Sequence, residues 1–101
     1  MSQAKQQIRE AFRTAVFKRD NQKCRICQKA GALDAHHITD RNEMPNGGYV
    51  KENGISLCPE CHIKAEDFHN TGICLKGFHP NDLYALINSS KEKALAASEK
   101  L

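Results

Sequence analysis

Cys24-Arg25-Ile26-Cys27, then Ala35-His36-His37-Ile38, then Leu57-Cys58-Pro59-Glu60-Cys61-His62 are the stretches that decide how this chain folds. Each Cys-x-x-Cys brings two thiolates within reach of one metal, and two such knuckles complete a tetrahedral four-cysteine zinc site at Cys24, Cys27, Cys58 and Cys61. Thirty residues lie between Cys27 and Cys58, room for two strands and a loop. A redox dithiol is the competing assignment, but it needs one pair, usually opening a helix after a thioredoxin-type strand. Paired knuckles favour zinc over that reading and over buried free thiols. The fifth cysteine, Cys74, has no partner in sequence and reads as a small core residue.

Working outward, Leu33 to Ile38 and Ile55-Ser56-Leu57 read as short strands. Residues 39–54, with Pro45-Asn46-Gly47-Gly48 at their centre, read as a long loop. Pro59 suits the first turn of a helix reaching about Phe68, Glu60 suits its positive end, and Gly72 lies beyond its stop. Upstream, Ile8, Phe12, Ala15 and Val16 recur at helical spacing over about 3–18, beside a basic stripe of Lys5, Arg9 and Arg13. Leu83, Leu86 and Ile87 mark a helix after Pro80, and Ser89 or Ser90 can cap a last helix from Lys91 to about Lys100. The expected fold is a small α+β domain over 1–101. Its core is two short strands, a long loop and a helix, stapled by the four-cysteine zinc and flanked by N- and C-terminal helices.

Composition fits a chain that leans on a metal. Aromatics are 6% of the residues and Trp is absent, so the core is thin. The odd cysteine count, the knuckle spacing and the lack of an apolar leader favour a reducing, cytoplasmic setting over a secreted disulfide scaffold. No segment approaches a membrane span. Net charge is +3, unevenly spread: residues 1–30 carry +6 and the remainder −3. A basic N-terminal third is a plausible phosphate-facing surface; an ordinary solvated helix face is the competing reading.

The histidines form a second cluster. His62 and Glu66 stand four apart on the predicted helix and leave one face together. With His36-His37 arriving from a strand, imidazole and carboxylate donors with open positions would admit magnesium or manganese held partly by water. Neighbouring strand residues point to opposite faces, so both histidines serve one site only if the strand ends or bulges there; otherwise one is structural, His36 first. His69 reads as a helix-end surface residue or a substitute ligand, His79 as a loop residue, and Asp40 as a support for a histidine.

These residues resemble the HNH endonucleases, the ββα-metal or His-Me finger group. The resemblance runs over roughly 16–68 and rests on the first knuckle, Ala35-His36-His37-Ile38, Gly47-Gly48-Tyr49, Asn53, and Leu57 to His62, with Arg19-Asp20 as the usual entry. It implies a metal-dependent DNA endonuclease leaving 5′-phosphate and 3′-hydroxyl ends. His37 matches the general base, His36 and His62 the metal ligands, Glu66 a position where relatives often carry a second helical ligand, and Asn53 the residue that holds the base. The resemblance also implies double-stranded DNA as partner, weak sequence preference, and an intracellular bacterial or phage setting. The thin core adds an expectation of a monomer that nicks. A zinc-stabilised module that binds nucleic acid or protein without catalysis is the alternative.

Overall fold

The computed structural model describes residues 3–101, so the first two residues of the expected domain lie outside it. The element order is α1 (Gln3–Arg19), β1 (Asp34–His37), three short 3₁₀ turns, β2 (Gly54–Leu57), α2 (Pro59–Thr71), α3 (Pro80–Leu86) and α4 (Lys91–Glu99). This is the small α+β fold expected, with the two strands, long loop and helix at its centre.

β1 and β2 pair antiparallel in unbroken register, Asp34 with Leu57 through His37 with Gly54. All four residues of β2 are buried. α1 lies directly on this ribbon. A Cβ at Gly54 would sit 2.5 Å from Val16 and 2.6 Å from the Phe12 ring, so only glycine admits the helix this closely. Phe12 and Val16 of the apolar stripe are buried there, whereas Ile8, one turn earlier, is 39% exposed. The Arg19-Asp20 pair fastens the junction. The buried Asp20 carboxylate accepts from the Ser56 amide at 2.9 Å and from the Arg19 guanidinium at 2.8 Å. Arg19 in turn donates to the Lys51 and Gly54 carbonyls. A buried charge is tolerable when its lone pairs are engaged in this way.

α2 starts and stops where its sequence signals place it. Cys58 caps it, its sulfur accepting from the Cys61 amide, and Pro59 fills the first turn. Gly72 ends it in the left-handed conformation at φ 77°, its amide returning to the Phe68 carbonyl. The helix therefore runs one turn past the expected Phe68, which brings His69 onto it.

The C-terminal third buttresses the long loop. Ser90 caps α4 through the Lys93 amide. Asn46 donates to the Ser98 carbonyl, Ser89 donates to the Glu52 carbonyl, and Ala94 and Ser98 are fully buried. From α3, the Tyr84 hydroxyl reaches Asn53 at 2.7 Å and Thr39 at 2.6 Å. Cys74 is partly buried against the same core. No helix among the described residues is long and apolar enough to cross a membrane.

Candidate active site

The four knuckle cysteines converge, their sulfurs all within 4.8 Å of one another and none in a disulfide. Cys27 and Cys58 sulfurs are 3.6 Å apart. A tetrahedral zinc with bonds near 2.3 Å holds its sulfurs ~3.8 Å apart, so the cluster has the right span for that ion. Each knuckle turns an amide onto its first sulfur, Cys27 onto Cys24 and Cys61 onto Cys58, both at 3.5 Å. Burial pushes the Cys24 thiol up, but backbone hydrogen bonds from Cys27, Cys58 and Ile26 outweigh it and bring it to about 7. Cys61 is pushed up by burial and by the sulfurs beside it. Crowded thiols resist losing all their protons until a cation is present, and a zinc ion removes that resistance. The cluster suggests a structural zinc.

A second group lies between β1 and α2. The Glu66 Oε1 atom is 3.2 Å from both His36 Nδ1 and His62 Nε2. Adjacent ligands of an octahedral ion with ~2.1 Å bonds stand about 3 Å apart, so these three donors fit one hard divalent cation. The charges of His36 and Glu66 suit it as well, a neutral ring beside an ionised carboxylate. Burial lowers the His36 pKa and outweighs the attraction of Glu66, so the ring is neutral at pH 7. The hydrogen bond from His36, against some opposing burial, holds the Glu66 carboxyl down at about 2. Because His36 is neutral, that stabilisation is a donated hydrogen bond rather than a full ion pair.

Asp34 completes this group, accepting from His62 Nδ1 at 3.0 Å and so aiming Nε2 at Glu66. Carboxylates commonly orient metal-binding histidines in this manner. Asp34 thus takes the supporting role that the sequence suggests for Asp40. Its signal is its spacing, two residues before His36 and hence on the same face of the strand.

His37 points the other way. Its ring stacks on Phe12 at 4.6 Å and meets the edge of Tyr49 at 4.8 Å. Burial, then the nearby Arg41 charge, depress its pKa to about 4. Nε2 is enclosed without a partner, which leaves Nδ1 as the accessible nitrogen. No bulge separates the two histidines, and His36, the first candidate for a purely structural role, is the one placed in the cation cluster. The expected conflict is resolved because β1 is an edge strand. A groove of about 270 Å³ reaches both of its faces and is lined by Asp34 and His62 on one side and His37 on the other.

The same groove is basic. Arg9, Arg13 and Arg41 line it together with Tyr49. Arg41 donates to the Tyr49 hydroxyl at 2.9 Å, and the Arg9 guanidinium lies 5.9 Å over the Tyr49 ring. Burial pushes the Tyr49 phenol up, but the hydrogen bonds from Arg41 and Arg9 prevail and bring it down. Lys5 lines a neighbouring groove that shares Arg9 and Tyr49. Sequence does not single out Arg41 and Tyr49 for this surface, because nothing in a loop's composition tells which side chains turn toward the groove.

Asn53 is fully buried, and its side-chain hydrogen bonds go to Thr39, Gly48 and Tyr84 rather than to the His37 ring. Its Oδ1 accepts from the Thr39 amide at 2.9 Å, its Nδ2 donates to the Thr39 carbonyl at 3.0 Å, and its carbonyl accepts from the Ile38 amide at 2.8 Å. It thus holds the backbone that leaves His37. His69 is half-buried rather than a surface residue, and its Nε2 donates to the His37 carbonyl at 2.9 Å. His79 caps α3, accepting from the Asn81 amide.

Residues 24–68, which hold both clusters, match the family model for HNH endonucleases. No curated protein and no solved structure gives a match. Two antiparallel strands, the following helix and the four-cysteine cluster agree with the ββα-metal architecture of that family, to which the chain is similar over residues 24–68.

Proposed function

We propose that this protein is a divalent-metal-dependent DNA endonuclease that uses His37 as its general base and cuts one strand per encounter. An HNH domain implies nuclease-type chemistry and nucleic-acid binding in general, although the family also holds non-catalytic members. One observation favours catalysis. His37, neutral and free of any ligand cluster, shares a single basic groove with His62 of the cation group. A module that only bound nucleic acid would need the arginines but not this imidazole.

His36, His62 and Glu66 would hold the catalytic ion, magnesium or manganese, and Cys24, Cys27, Cys58 and Cys61 a structural zinc. A hard divalent ion there would supply charge stabilisation at the scissile phosphate and at the departing oxygen. His37 Nδ1 accepts the proton of the attacking water as its oxygen bonds to phosphorus. The bond from phosphorus to the 3′ oxygen breaks, and solvent protonates that oxygen, leaving 5′-phosphate and 3′-hydroxyl ends. With a pKa of about 4 the imidazole is always free at neutral pH. An arriving phosphate opposes the Arg41 charge and raises its basicity toward the useful range. Arg9, Arg13 and Arg41 hold the backbone on either side, with Lys5 further along.

The test is conversion of supercoiled plasmid to open circles by protein carrying its zinc, with and without added Mg²⁺ or Mn²⁺. Cleavage that requires the added ion is expected. Plasmid retained and shifted but never cut, with either ion, would leave a binding module.

A further inference from the structure

We infer that His69 is a positioning residue for the base, holding His37 through its backbone carbonyl; this rests on the nuclease reading above. The carbonyl of His37 and the amide of Ile38 belong to one peptide group. That group is gripped from both sides: His69 Nε2 donates to the carbonyl at 2.9 Å, and the Ile38 amide donates to the Asn53 carbonyl at 2.8 Å. The next stretch of backbone is held by the Asn53 side chain, through the Thr39 amide and carbonyl.

The need for such a clamp follows from the fold. β1 has a partner on one edge, β2, and is only four residues long. Its last residue is His37, past which the Ile38–Asn53 backbone bond carries the register on. The peptide leaving that residue sets the direction of its Cα–Cβ bond, and therefore where the imidazole stands between Phe12 and Tyr49. The His37 carbonyl is not bonded to β2, and a backbone acceptor at a partly buried residue is best satisfied by a donor. The extra turn of α2 supplies one, from a ring lying 5.2 Å, centroid to centroid, from that of His36. His69 is outside the group of donors that converge for the cation, His36, His62 and Glu66. Its Nε2 is directed at the strand backbone instead.

His69→Gln and His69→Leu separate the roles. The Gln amide nitrogen reaches about where Nε2 does and can still donate, whereas Leu keeps bulk without a donor. Single-turnover nicking by His69→Leu should slow on the order of 10–100-fold, with KM for DNA and Mn²⁺ affinity near wild type. His69→Gln should restore most of the rate. Exchange of the Ile38 amide, which needs no activity, should speed up in His69→Leu and stay slow in His69→Gln. A His69→Leu rate within twofold of wild type would overturn the inference. So would a matching loss of Mn²⁺ affinity, which would make His69 a ligand, or a Gln variant as impaired as Leu. Should wild type fail to nick at all, the nuclease reading falls, and unchanged Ile38 exchange in His69→Leu would then dispose of the clamp separately.

Discussion

His36 and His37 differ by one position, and the strand sends them to opposite sides, so the proposed roles of ligand and base separate by mutation. Removing a cation donor should cost binding as well as turnover, so His62→Ala is expected to lower Mn²⁺ affinity by at least about tenfold, read by calorimetry. Asp34→Ala, which only frees His62 Nδ1, should weaken the ion by roughly 10–100-fold while leaving zinc content unchanged. The depressed histidines also set an acid limit. An unfolded histidine takes a proton near pH 6.5, whereas folded His37 resists until about 4. Between those values the unfolded chain binds more protons, so stability falls as pH drops through that window and is flat above it. Urea midpoints from pH 7 to 5 should show the fall, and His37→Phe, which keeps the aromatic packing, should make it shallower. An equal slope in both proteins would assign the acid sensitivity elsewhere. At this scale the donor types are legible from spacing alone. The duty of His69 is not, because its partner is a backbone carbonyl that no sequence pattern exposes.

α1 carries two faces that separate cleanly. Phe12 and Val16 close over Gly54, while Arg9 and Arg13 line the groove and Lys5 its neighbour. Replacing Lys5, Arg9 and Arg13 with Gln should weaken DNA binding and flatten its salt dependence, by about 0.9 in logarithmic slope for each phosphate no longer neutralised. Thermal stability should be kept, and an unchanged slope would return the stripe to an ordinary solvated face. Helical periodicity makes this helix legible, and the cap residues make α2 legible. The job of α3 and α4 is not, since they pack on loop residues far away in sequence. Tyr84 is the case in point, with its hydroxyl on Asn53 and Thr39. Tyr84→Phe leaves a buried amide oxygen and a hydroxyl short of a partner, and should cost about 1–3 kcal/mol by chemical denaturation. An unchanged stability in this variant would mean that α3 does not support the loop.

Across the whole molecule, two cation sites of different chemistry should respond differently to chelation. Four thiolates hold zinc far more tightly than two imidazoles and one carboxylate hold magnesium or manganese. Mild EDTA should therefore stop nicking while zinc content and circular dichroism persist. On the proposed reading, with one base and one catalytic cluster per chain, open circles should precede linear plasmid; linear product from the outset would require two chains facing opposite strands. The most direct test of His37 is its replacement by Ala, with single-turnover nicking and Mn²⁺ affinity measured on the same preparations. The rate should fall by about 10²–10⁴-fold, with zinc retained and Mn²⁺ affinity within twofold of wild type. Nicking at the wild-type rate, or loss of Mn²⁺ together with activity, would contradict the assignment of His37 as the base beside an independent cation site.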